Sequence, residues 1–179
     1  MTLNKSYRST WEIMQFALGI SPNPDLIAME RHGPVPDVQL VETPQAAVSL
    51  IAARVEAFRA SDHTSLAVLA KTQGQAKRLH KALADSGTKA RLLEEGSTGF
   101  STGVVICTPH LAKGLEFDEV IVPDASAANF ATEMDRNLLY VACTRAMHRL
   151  SVISVGEPSE FLDAAQPAGM RRITLEQVR

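Results

Sequence analysis

The sequence predicts an α/β fold: a parallel sheet with helices on both faces. Two observations carry that expectation. Apolar runs of three to six residues alternate with stretches of helical periodicity along most of the chain. The runs are apolar at nearly every position, as strands buried on both faces are. The length, 179 residues, suits one domain with one proper core.

Taken in order, Ser9-Thr10-Trp11-Glu12 has the pattern of a capping box, with Ser9 as N-cap and Glu12 at N3. The helix it opens carries Trp11, Met14 and Leu18 on one stripe and Ile13, Phe16 and Ala17 beside it. Prolines at 22, 24, 34 and 36 bracket an irregular stretch. Val38 to Val41 is a short strand. Thr43-Pro44 then starts a helix, a cap followed by proline at its first position. Leu66 to Ala70 is a buried strand, and Gln75 to Ser86 a helix closed by Gly87. Ala90 to Leu93 is a weak strand; Val104 to Cys107 and Val120 to Val122 are stronger ones. Met134 to Met147 is a helix, with Arg145 in its last turn, and Leu150 to Val155 is the last strand. From Pro158 a short helix and a tail are expected. Ligands of such sheets sit at the carboxyl ends of the strands, so functional residues are expected just after strands.

Composition excludes several classes. Apolar residues are 45% and charged residues 21%, ordinary for a globular protein. The longest apolar run, Leu138 to Cys143, is far short of the roughly 20 residues that span a bilayer. Asn4, Lys5, Ser6 and Arg8 precede no apolar h-region, so no secretory signal is expected. Cys107 and Cys143 are too few and too far apart for a disulfide framework or a zinc site, so reduced thiols in a cytoplasmic protein are expected. A net charge of −2 argues against gripping nucleic acid by bulk charge. The distribution is less even. Residues 71–91 hold six basic side chains against Asp85 alone, and residues 94–135 hold eight acids against Lys113 alone. Such runs orient a polyanion or merely solvate a helix face.

Three segments concentrate chemistry. Tyr7 and Arg8 lie side by side before a helix start, an aromatic face next to a phosphate-compatible fork. The segment Thr108-Pro109-His110-Leu111-Ala112-Lys113-Gly114-Leu115-Glu116-Phe117-Asp118 crowds polar groups into one loop after a strong strand, where binding residues gather. In the segment from Asp135 to Ala146, an arginine at position 145 complements the helix dipole with or without a further role.

Together these segments resemble motifs IV, V and VI of superfamily 1 helicases of the UvrD/Rep type. Residues 108–117 match T-x-H-x-x-K-G-L-E-F at every specified position; residues 138–146 match L-x-Y-V-x-x-T-R-A; residues 6–10 match N/S-Y-R-S-T. Leu66 to Gln75 is similar to the weaker family segment between motifs IV and V. The resemblance implies the second of two RecA-like domains, called 2A, over residues 1–157, with residues 158–179 as C-terminal helix and tail. It implies that Tyr7 stacks on the adenine of ATP and Arg8 contacts the γ-phosphate. Glu116 is implied to bond the ribose, and Lys113 to belong to the ATP side of the same loop. Arg145 is implied to be the arginine finger, so that Arg145 and Arg8 are the catalytic candidates. Thr108 and His110 are implied to face single-stranded DNA.

No G-x-x-x-x-G-K-[ST] occurs, so the fold expected is RecA-like without its own P-loop. In the family the P-loop and the Mg²⁺ ligands belong to a preceding RecA-like domain, the expected partner of this one. This chain alone is therefore expected to be inactive, and to hold no metal. About ten residues, Glu94 to Gly103, stand where UvrD/Rep helicases carry a large 2B insertion. That resembles the HelD or helicase IV-like branch, whose Gram-positive members bind RNA polymerase. The expectation is an ATP-dependent DNA helicase or translocase in the whole protein. The alternative is an interaction module on RNA polymerase or another partner.

Overall fold

The computed structural model describes residues 5–6, 9–23, 27–28, 31–97, 100 and 102–165. Six parallel strands form the main sheet: β3 (Asp37–Val41), β4 (Ser65–Leu69), β5 (Arg91–Leu92), β6 (Gly103–Cys107), β7 (Phe117–Val122) and β8 (Ala146–Val155). Their spatial order is β3-β8-β7-β4-β6-β5. Two short strands, β1 (Lys5–Ser6) and β2 (Ile27–Ala28), pair in parallel beside it and were not expected.

Helices cover both faces because the strands are apolar on both. α2 (Pro44–Arg59) and α3 (Gln73–Asp85) bury Ile51, Val55, Phe58 and Leu83 against Leu66, Val68, Ile106 and Ile121. On the other face α1 (Trp11–Ile20) and α4 (Glu133–Thr144) bury Ile13, Phe16, Leu139 and Cys143 against Ala67, Val105, Val120 and Val152. A 3₁₀ turn at Glu160–Leu162 stands where a short helix was expected, and Phe161 and Leu162 join this second core. Its chain runs so close to α1 that a Cβ on Gly19 would meet the Ala164 carbonyl oxygen at 2.5 Å.

Local signals set several boundaries as expected. Thr43 caps α2 with Pro44 at the start, and Gly87, at φ 84°, ends the chain's turn out of α3. Two expectations are corrected. Thr10, not Ser9, caps α1: its hydroxyl accepts from the Ile13 amide. Glu12 turns away from the cap and accepts from the Gly33 amide and bonds His32, each at 2.8 Å. α4 stops at Thr144 rather than Met147, because residues 146–149 are claimed by pairing with β7. Arg145 is thus the C-cap of α4, not a member of its last turn.

Candidate nucleotide and nucleic-acid interface

Thr108 follows β6 directly and is nearly buried. Its hydroxyl accepts from the Leu111 amide at 3.3 Å, and its carbonyl accepts from the Ala112 amide at 3.0 Å. The chain therefore turns helically as it leaves the sheet. His110 is exposed on that turn. The Leu115 amide donates to Ala112, and Gly114 adopts φ 81°, a conformation open to glycine without strain. Leu111 and Leu115 pack on the α1/α4 core, and Ala112 is fully buried within it. Lys113 is exposed at a hollow of about 250 Å³ that it shares with Glu94, Phe100 and Leu115.

The loop thus crosses the domain from the carboxyl end of β6 to the amino end of β7. A five-residue strand is about 17 Å long, so the two ends of the motif are that far apart. Glu116 immediately precedes β7, and Arg145 immediately precedes the neighbouring β8. These two residues share the amino end of the sheet. Of the candidate residues, Thr108 and His110 lie just after a strand, as expected, whereas Glu116 and Arg145 lie just before one. The carboxyl-end rule describes a ligand held by one sheet alone; the resemblance implies a nucleotide shared with a second domain. Tyr7 and Arg8 lie outside the described residues.

Arg145 is half-buried, and its backbone is held on several sides. Its amide donates to Ala142 at 3.2 Å, and its carbonyl accepts from the Phe117 amide at 3.0 Å. The guanidinium makes one long bond, from Nη1 to the Leu115 carbonyl at 3.5 Å. Its Nε is buried without a partner among the described residues. A buried guanidinium N–H with no acceptor is costly in isolation, and a phosphate oxygen would satisfy it. An arginine is chemically suited to a phosphate, although in this conformation its Nε is buried. Phosphate and magnesium cradles of the P-loop kind are not encoded in this chain.

Sequence reasoning missed the polar network at the amino ends of β4, β7 and β8. Asp118 accepts from the amides of Thr64 and Ser65 and lies near both their hydroxyls. Burial alone would raise its pKa, but these bonds together hold the carboxyl below its ordinary value. His63 bonds Glu119 at 2.6 Å, and the His63 and His148 rings stack at 5.2 Å. Burial and the neighbouring Arg31 push His148 below its ordinary pKa, against the opposite pull of Asp118. No sequence spacing links these residues. Also missed was Lys71, whose ammonium meets Asp135 at the start of α4.

Comparison with known proteins defines the class: a helicase C-terminal domain of RecA-like fold. Residues 103–153 match the UvrD-like helicase C-terminal domain family. A crystal structure of the C-terminal domain of a possible DNA helicase from Lactobacillus plantarum WCFS1 is 32% identical. That match covers 91% of this chain and 96% of the other, with a TM-score of 0.78. The chain belongs to the UvrD-like helicase C-terminal domain family. Two remoter structures share the fold. The UvsW helicase of bacteriophage T4 matches at 9% identity and TM-score 0.52, over 92% of this chain and 59% of that one. The C-terminal domain of the DEAD-box protein Dbp5 matches at 15% identity and TM-score 0.55, over 80% and 92%. A comparison with curated protein sequences finds no match. Among the described residues, no helix is long and apolar enough to cross a membrane.

Proposed function

We propose that residues 1–157 are the 2A motor domain of an ATP-dependent superfamily 1 DNA helicase or translocase. In this reading the domain completes an ATP site begun by a preceding RecA-like domain and contacts single-stranded DNA. The observation that carries it is the Arg145 guanidinium, half-buried at the amino end of the sheet beside Glu116, with its Nε lacking an acceptor among the described residues.

ATP, held with Mg²⁺ by the neighbouring domain, supplies the phosphoryl group. Arg145 faces it as the finger that meets charge on the γ-phosphoryl oxygens, with Arg8 as its second cation. Tyr7 offers a stacking face to the base, Glu116 accepts from the ribose hydroxyls, and Lys113 lies along the same loop. Thr108 and His110, at the opposite end of that loop, face the strand of DNA. One continuous segment therefore links the nucleic-acid end to the nucleotide end, and closure of the two domains on ATP would shift the His110 surface along the strand.

The β5 to β6 connection is short, from Leu92 to Gly103. This supports a branch without a 2B insertion, of the HelD or helicase IV-like kind, and makes translocation or remodelling a better expectation than processive unwinding. A docking role on RNA polymerase draws on that short connection alone.

The test is steady-state ATP hydrolysis by the full-length protein with and without single-stranded DNA. Turnover stimulated by DNA and lost in Arg145→Ala supports the motor. Absence of turnover, with co-elution on RNA polymerase, supports the docking module instead.

A further inference from the structure

Ser9 stands next to the arginine of motif IV, and its hydroxyl does not cap α1, since Thr10 does that. It is 2% exposed and donates to the carbonyl of Ala146 at 2.5 Å, across 137 positions of sequence. Ala146 is the residue after Arg145.

The reason that carbonyl is available lies in the sheet. β7 and β8 pair Phe117 with Ala146, then Glu119 with Arg149, so β8 carries one extra residue opposite Asp118. Such a bulge interrupts the ladder and re-aims the side chains around it. Three successive carbonyls at the α4 to β8 junction go to three separate segments of the chain. That of Arg145 takes the Phe117 amide, that of Ala146 the Ser9 hydroxyl, and that of Met147 the Arg31 Nη2 at 2.6 Å. The root of the Arg145 side chain is thereby fixed, while its guanidinium is held by one long bond from Nη1 to the Leu115 carbonyl and its inner Nε is buried without a partner among the described residues. A charged group held by a fixed backbone root is what electrostatic preorganisation requires.

We propose that Ser9 is a positioning residue for Arg145, its hydroxyl holding the Ala146 carbonyl and so setting the direction in which the guanidinium leaves α4. The proposal rests on the reading of Arg145 as the phosphate-facing arginine. It adds a role that neither the arginine nor the cap of α1 accounts for: motif IV disciplines motif VI through one buried hydroxyl.

The experiment uses the full-length protein with Ser9→Ala and Ser9→Thr. Ser9→Ala should lower kcat about tenfold and leave KM for ATP within about twofold, since the loss falls on the transition state. Binding of ADP–aluminium fluoride, which mimics the transferring phosphoryl group, should weaken about tenfold while ADP binding holds. Ser9→Thr, which keeps the hydroxyl, should restore both. In an Arg145→Ala background, Ser9→Ala should cost nothing more. A normal kcat in folded Ser9→Ala, an equal rise in KM, or a full additive loss in the double variant overturns the proposal. Should Ser9→Ala fail to fold, Ser9→Cys, with its weaker donor, replaces it. If the wild-type protein hydrolyses no ATP, the functional reading falls by itself. Ser9 is then judged on the Nε–H resonance of Arg145, which should be sharp in the wild type and broadened in Ser9→Ala; an unchanged resonance overturns it.

Discussion

Lys71 and Asp135 form an ion pair 2.8 Å long that ties the end of β4 to the first turn of α4. The ammonium also donates to the Asn129 carbonyl at 2.5 Å and lies over the Phe130 ring. Asp135 in turn accepts from the amides of Ala131 and Thr132, closing a capping box at the helix start. The bond from Lys71, aided by these amides, drives the Asp135 carboxyl far below its ordinary pKa. A depressed carboxylate stabilises the fold above its unfolded pKa, about 3.9, and loses that contribution as pH falls toward its folded value. Asp135→Asn should therefore cost about 2 kcal/mol at pH 7 and progressively less below about pH 4. Urea unfolding of both proteins at pH 7 and pH 3 measures this; an equal gap at both pH values contradicts it.

Arg145→Lys keeps the charge and loses the fork. In the full-length protein kcat should fall at least about 100-fold with little change in KM for ATP. Tyr7→Ala should do the reverse, raising KM by the loss of a stacking face worth about 1–3 kcal/mol. Steady-state kinetics of both variants decides between a finger and a helix-dipole partner. Wild-type kcat in Arg145→Lys leaves only the latter.

The domain by itself should bind single strands weakly, with a dissociation constant on the order of 10⁻⁴ M or weaker at physiological salt. His110, exposed on the turn after β6, should supply a base contact, and His110→Ala should weaken binding about fivefold. A fluorescence titration against a labelled oligonucleotide reads this directly. Tight binding that ignores salt would contradict it.

Burial pushes the Cys107 thiol up to about 12 and raises Cys143 as well. Neither thiol should react with an aromatic disulfide reagent in the native protein at pH 8 on the minute scale, and both should react in denaturant. Labelling faster than unfolding at either position would show that the α1/α4 core opens locally.

Much of the fold was legible because its signals are local. Thr43-Pro44, Gly87 and the apolar run from Val104 to Cys107 each state their structure within a few residues. Residues 147–149 did not, since Met147, His148 and Arg149 carry no helix breaker and only their pairing with β7 makes them strand. At the candidate site, residues 108–117 and 138–146 were legible as patterns, whereas their division between opposite ends of the sheet was not. That division depends on which residues precede a strand and which follow one. The bonds from Lys71 to Asp135 and from Ser9 to Ala146 join residues far apart in sequence, and no spacing encodes them.

The sheet order has a consequence for biosynthesis. β3 emerges early, yet its hydrogen-bonding neighbour is β8, more than a hundred residues later, with Asp37 set against Ser151. Strands β4 to β7 can zip together as the ribosome delivers them, since each finds its neighbour within that stretch. β3 must wait, its pairing edge uncovered, until β8 arrives to slot between β3 and β7. β8 is thus the wedge that closes this sheet, and a nascent chain stalled before it is the form for which a chaperone has most use.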